Sequence, residues 1–301
     1  MNFRAALTAR QIAVNSLLCV GLDPLLEKVP QTVLDHFGCR TWEDITEELQ
    51  GTVVLYWMKG VVDATALYAS MFKPQRAHWE ALVGGAEALR SIVAYIHEKY
   101  PDIPVFLDCK RGDIDRTQRQ YRDAHFLLDG VDGMNYNGYM GSDTLKALVD
   151  PKYPGRALVG LGRTSNPAAW RVQDRLLADV RIVWEAMVRD ILDWSTEFGV
   201  LENAGVVMGA AHKSPYTSEP IYSRHLVKGR EIVGNQLWFL IPGIGTQSGF
   251  VEETVKAAYM GAGSIAINSS SGIIFADDPG AAAKKTRDEI NLYIPYYLVA
   301  A

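Results

Sequence analysis

Eight short apolar runs recur along the chain, each closing on a polar or glycine-rich turn and each followed by a stretch of helical pattern. They are Ser16–Asp23, Ala69–Pro74, Val105–Lys110, Gly133–Tyr139, Arg156–Gly162, Ala204–Ala210, Leu237–Pro242 and Ser264–Asn268, the fourth being the weakest. The runs are apolar nearly throughout rather than at alternate positions. A strand of that kind is covered on both faces, as in a parallel sheet flanked by helices. Between the runs, Thr41 reads as the N-cap of a long helix with Glu43 and Asp44 in its first turn. Further helices are predicted over Glu80–Tyr100, from near Asp115, over Gln173–Phe198 and over Asp278–Tyr293.

Eight strand–helix units in 301 residues predict a (β/α)8 barrel, the TIM barrel, in preference to an open doubly wound sheet. No linker, repeat or low-complexity segment divides residues 1–301, which read as one domain. Residues 213–235 are polar and longer than an ordinary loop between strand and helix, and read as an insertion.

Composition narrows the partners. Hydrophobic residues make up 48% of the chain and charged residues 22%, as in a soluble globular protein, and the net charge is −5. That balance argues against nucleic acid or a polybasic membrane surface as partner, while leaving room for a small anion at a locally positive site. Cys19, Cys39 and Cys109 are odd in number and lack metal-ligand spacing, so they read as free thiols of a reducing compartment. The N-terminal MNFRAALTARQ has no apolar signal core, and no window supplies the ~18 apolar residues of a membrane span. A cytoplasmic protein is expected. His78, His97 and His125 fall in helical stretches and read as surface or packing residues. No HExxH, Walker or GxGxxG pattern is present, so nothing in the sequence calls for a metal, nicotinamide or flavin.

The chemistry of such a barrel comes from side chains at the C-terminal ends of its strands. The third run ends in Asp108-Cys109-Lys110-Arg111-Gly112-Asp113. Side chains at i and i+2 of a strand share a face, so Asp108 and Lys110 are expected to emerge together, with Asp113 on the turn into the next helix. Charges gathered at the end of a buried strand are costly unless they meet one another or a ligand. Asp115 can cap the following helix by itself, leaving Asp113 available. Asp23 ends the first run and Lys73 the second, which gives alternating charges around one barrel mouth. Arg163-Thr164-Ser165-Asn166-Pro167 adds hydroxyl and amide groups after the fifth run. Glycine-rich Pro242–Gly249 and serine-rich Asn268–Gly272 follow the seventh and eighth runs, where main-chain N–H groups commonly hold phosphate.

These segments together resemble the orotidine 5′-phosphate decarboxylases, most of all the longer bacterial branch. The resemblance runs through LLCVGLDP (Leu17–Pro24), FKP (Phe72–Pro74), DCKRGDI (Asp108–Ile114) with Thr117, and NGYMGSD (Asn137–Asp143). It continues through RTSNP (Arg163–Pro167), VVMGA (Val206–Ala210), PGIGTQSG (Pro242–Gly249) and INSSSGIIFA (Ile267–Ala276). It implies cofactor-free decarboxylation of orotidylate to UMP, with Lys73, Asp108, Lys110 and Asp113 as the catalytic array and Lys110 as proton donor. It implies a homodimer in which Asp113 enters the neighbouring subunit's site. Asp23 and Thr117 would hold the ribose, and Ser165 the pyrimidine. Gln247 would lie between pyrimidine and phosphate, and Ile114, Pro242, Gly245, Ser270 and Ser271 would complete the substrate contacts.

The chain departs from the family at Ser271, where an arginine ordinarily grips the phosphate, and at Gly138, where proline is common. A hydrogen bond to a charged group contributes about 1.5–3 kcal/mol, so weakened use of the phosphate is expected unless Arg163 or another cation substitutes. Two other readings fit the same residues. One is a Mg2+-dependent phosphosugar decarboxylase or aldolase on the same barrel, and the other a binding-only relative with impaired phosphate grip.

Overall fold

Each apolar run forms a strand, with β3, β5 and β8 reaching one residue past their runs: β1 Leu18–Leu22, β2 Met71–Pro74, β3 Phe106–Arg111, β4 Gly133–Tyr136, β5 Ala157–Arg163, β6 Gly205–Met208, β7 Trp238–Pro242 and β8 Ile265–Ser269. The structure, a computed structural model, describes residues 2–213, 221–244 and 250–295. All the strand pairings are parallel, running from β3 through β8 to β1 and β2. Bridges Phe72↔Val105 and Gln75↔Asp108 close the seam between β2 and β3, giving the predicted (β/α)8 barrel.

Alternation along these strands sorts the core into two layers, as period-2 geometry requires. Cys19, Met71, Phe106, Ala157, Val159, Val207, Trp238, Leu240 and Ala266 cluster inside the barrel. Their neighbours Leu18, Val20, Phe72, Leu107, Leu158, Val206, Phe239 and Ile267 pack outward against the helices. A strand buried on both faces has no polar side to display, which explains the unbroken apolar runs.

The N-terminal helix Phe3–Val14, which the run pattern does not predict, adds Phe3 and Leu7 to the inner cluster. Phe3 stacks on Trp238 at 5.5 Å and meets Phe106 edge-on at 6.1 Å. Phe3, Leu7 and Gln11 are the buried positions of this helix, spaced by four and so on one face.

Several helix boundaries differ from expectation. Thr41 leads only the 3-10 turn Trp42–Asp44, and the long helix Glu47–Thr65 starts after Thr46. In the Glu80–Tyr100 stretch the helix is Gly85–Lys99, separated from the preceding short helix Arg76–Glu80 by Gly84, which takes a left-handed conformation (φ 71°). In the Gln173–Phe198 stretch the helix starts late, as Val183–Glu197, after the short helix Trp170–Gln173 and an antiparallel bridge Leu176↔Ile182. Residues 213–235 contain the helix Arg224–Val233, which lies between β6 and β7 in the chain, so the latter half of the expected insertion is an outer helix. Residues 214–220 lie outside the described residues. Among the described residues, no helix is long and apolar enough to cross a membrane.

Candidate active site

The inner faces of the strands change character toward their C-terminal ends. Continuing the inward register by twos leads from Cys19 to Gly21 and Asp23, from Met71 to Lys73, and from Phe106 to Asp108. The same step leads from Leu240 to Pro242 and from Ala266 to Asn268 and Ser270. A cavity of about 510 Å³ lies at this end, lined by these polar residues with Lys110, Asn135, Thr164, Ser165, Asn166 and Ser271.

Asp108 is the electrostatic centre. Its Oδ2 is 3.2 Å from Lys73 Nζ and its Oδ1 is 2.6 Å from Lys110 Nζ. The Asn135 amide donates to Oδ1 at 2.8 Å. Burial alone would raise the Asp108 carboxyl, but Lys73, Lys110 and Asn135 outweigh it and hold the group well below the usual carboxylate range. Lys73 is buried, and burial alone would discharge it. Asp23 and Asp108 reverse that and keep its ammonium above its ordinary value. Burial pushes the neighbouring Cys109 thiol up to about 12, which leaves it protonated and inert.

Lys110 reaches Asp108 by an irregular route. Its backbone is left-handed (φ 47°), and the β3–β4 register shifts between Leu107 and Arg111. Asn135 Oδ1 accepts from the main-chain N–H groups of both Cys109 (2.8 Å) and Lys110 (2.6 Å). One amide side chain therefore holds the bulge and the carboxylate together. The weak fourth run gave no sign of this, although a buried Asn two positions after an inward glycine in an apolar strand is a usable signal.

Asp23 lines the cavity, and its Oδ1 is buried without a hydrogen-bond partner among the described residues. Such an oxygen is a ready acceptor for a ligand hydroxyl. Ser270 stands over Gly21, where an added Cβ would fall 1.9 Å from its Oγ. Asn268 donates to Ser270 Oγ at 3.2 Å and also meets Cys19 Sγ at 3.4 Å. The turn carrying Ser165 is braced by Gln173, which accepts from Thr164 N at 2.9 Å and donates to Thr164 Oγ1 at 2.7 Å. His78, read from sequence as a surface or packing residue, lines the cavity with Nδ1 3.1 Å from Pro24 O.

Other expected residues are not brought to this cavity. Asp113, Ile114 and Thr117 do not line it; Ile114 is 46% exposed, and Asp113 Oδ1 accepts from the Ile114 N–H at 2.7 Å. Asp115 does not cap the helix Asp115–Asp123. Ile114 occupies the N-cap position, while Asp115 is the first helical residue, left-handed (φ 43°) and paired with Arg119. Arg163 is buried and spends its guanidinium on Asp174, at 3.1 Å from Nε and 2.9 Å from Nη2. It does not line the cavity, and its guanidinium is already paired. Gly245 and Gln247 lie outside the described residues.

A family model described as Orotidine 5′-phosphate decarboxylase / HUMPS family matches residues 16–286. The orotidine 5′-phosphate decarboxylase of Ralstonia nicotianae is 34% identical, over 97% of this chain and 99% of its own length. That of Dechloromonas aromatica is 36% identical, over 97% and 100%. Among solved structures, the OMP decarboxylase of Leishmania donovani superposes with a TM-score of 0.75 at 29% identity, over 97% of this chain and 98% of that one. The UMP synthase of the same organism gives 0.78 at 31% identity, and there the match covers 97% of this chain but 56% of the longer one. With a matched region from the start of the first strand's run into the last helix, and relatives aligned almost end to end, this chain belongs to the orotidine 5′-phosphate decarboxylase family.

Proposed function

We propose that the protein decarboxylates orotidine 5′-monophosphate to UMP in pyrimidine biosynthesis, in the cytoplasm and without a cofactor. The observation that carries the chemical reading is the buried Asp108 carboxylate clamped between two ammonium groups at a cavity floor. Breaking the bond from C6 of the pyrimidine to the carboxylate releases CO2 and leaves the electron pair on C6. Lys110 stabilises that developing charge and then transfers an Nζ proton to C6, giving UMP. A fixed ammonium in a site with little water is worth far more than one in bulk solvent. Lys110 is half-exposed, so it can recover its proton from water after product leaves. Lys73 and Asp108 keep the array charged and oriented, and Asp23 takes a ribose hydroxyl.

The phosphate falls to the loops after β7 and β8, with Pro242, Gly245, Gln247, Ser270 and Ser271 as contacts. Asp113, Ile114 and Thr117, which leave their own cavity, serve the site of a second copy in a homodimer; a fully active monomer in sedimentation would refute that arrangement. The test of the function is ultraviolet-monitored conversion of orotidylate by the purified protein with EDTA present. Turnover supports the reading. Dependence on added Mg2+ would favour the phosphosugar chemistry of the same barrel, and binding of UMP without turnover would favour a binding protein.

A further inference from the structure

Behind the Asp108–Lys110 wall lies a second charged layer that the decarboxylation chemistry does not use. Where Lys110 meets Asp108, the next residue, Arg111, meets the outer helices. Arg111 donates from Nε to His125 Nε2 at 3.1 Å and from Nη2 to Glu80 Oε1 at 2.8 Å, and its guanidinium lies 4.5 Å from the Tyr121 ring centroid. His125 is 1% exposed and sits in the π-helical turn Ala124–Leu128 that continues the helix Asp115–Asp123. Isolated π turns of this kind often mark functional positions. Its Nδ1 is 2.8 Å from Asp129 Oδ2, and Asp129 is fixed in turn by Arg76 at 2.6 Å with Arg90 at 3.5 Å.

The proton positions follow from the partners. Arginine only donates, so His125 Nε2 carries no proton, and the single ring proton is on Nδ1, directed at Asp129. The chain of donors therefore runs from Arg111 to His125 to Asp129. It requires a neutral imidazole. Arg111 of β3, Asp129 and Tyr121 of its own helix meet the ring directly, and Arg76 and Glu80 of Arg76–Glu80 and Arg90 of Gly85–Lys99 meet those partners in turn. Burial, Arg111 and Arg76 together outweigh Asp129 and keep the ring below its ordinary value.

We propose that His125 is a positioning residue for Lys110: braced by Asp129, it anchors Arg111, and so holds the left-handed bulge that sets the Lys110 ammonium on Asp108. The inference rests on Lys110 being the working cation of the decarboxylation. A lysine with positive φ is strained and returns to ordinary backbone unless its neighbours hold it. Arg111 is the residue on the far side of the bulge, with its main chain paired to Tyr136 and its side chain pinned by three partners. Protonating His125 would set an N–H against the Arg111 N–H and release that side of the bulge.

Two substitutions separate positioning from packing. His125→Asn keeps a donor near Nδ1 for Asp129 but loses the acceptor for Arg111, whereas His125→Gln keeps an acceptor near Nε2 and loses the donor. The expected result is a kcat for orotidylate reduced on the order of 10- to 100-fold in His125→Asn with KM unchanged, and a kcat near wild type in His125→Gln despite a lower Tm. In wild type, kcat is expected to fall on acidification before the fold is lost, and His125→Gln to remove that step. Should His125→Asn fail to fold, Arg111→Met, which keeps a stem against Tyr121, is expected to lose kcat likewise. A wild-type kcat in His125→Asn or Arg111→Met, or kcat losses that only track the folded fraction in both His125 variants, overturns the positioning role. A wild-type protein that does not decarboxylate orotidylate overturns the proposed function first, and this inference with it.

Discussion

Replacing Asn135 with alanine removes a side chain that ties the β3 bulge to the Asp108 carboxylate. Asn135 is 1% exposed and makes three hydrogen bonds there, accepting from Cys109 N and Lys110 N and donating to Asp108 Oδ1. A buried main-chain donor left unsatisfied costs about 1–3 kcal/mol, and a bond to a charged group contributes about 1.5–3 kcal/mol. Counting only the Cys109 donor and the Asp108 bond gives about 2.5–6 kcal/mol, a large share of the roughly 5–15 kcal/mol of a typical domain. Lys110 also loses a partner that holds its left-handed backbone, so kcat is expected to fall together with stability. Urea unfolding followed by tryptophan fluorescence gives the first quantity and orotidylate turnover the second. Asn135→Asp sharpens the test, because it keeps the main-chain acceptor but sets a second anion beside Asp108 and raises that carboxyl. A loss under about 1 kcal/mol in Asn135→Ala, with kcat intact, would refute the assigned role of the bulge.

Three further outcomes are expected. Ser271→Arg restores a cation beside the proposed phosphate loops and should raise kcat/KM for orotidylate by roughly 10- to 150-fold, with an unchanged value counting against a weakened phosphate grip. Gly21→Ala drives a methyl into Ser270 Oγ and should cost about 1–3 kcal/mol while raising KM for orotidylate; wild-type KM and thermal stability together would show that Ser270 has room to move. The depressed Asp108 carboxyl contributes stability that is fully present above the unfolded value of about 3.9 and is lost as pH falls through its lower native value. The stability gap between wild type and Asp108→Asn should therefore hold steady near neutrality and narrow below about pH 4, and a gap unchanged down to pH 2 would contradict the pairing with Lys73 and Lys110.

The barrel was legible because burial on both faces writes every strand as an apolar run, and the charges at the run ends stand out against that background. Asp108, Lys110 and Lys73 meet as their strand positions implied, although Lys110 arrives through a bulge rather than plain alternation. What escaped the sequence depends on contacts between distant segments. Asn135 belongs to the site because β4 pairs beside β3, and His125 belongs to the layer behind it because Arg111 reaches it across the seam of helix and sheet. Arg163 could be offered as a phosphate ligand only while Asp174, eleven residues on, was not known to occupy it. Helix ends depart from the sequence pattern where a single backbone conformation decides them, as at Gly84.

The central claim is that the Lys110 ammonium acts on the reacting carbon rather than on ground-state binding. Lys110→Ala tests it most directly, with single-turnover decarboxylation of orotidylate measured alongside the Kd for UMP. Decarboxylation is expected to disappear while UMP binding stays within about tenfold of wild type, a change of about 1.4 kcal/mol. Decarboxylation persisting at a wild-type rate in Lys110→Ala would contradict it.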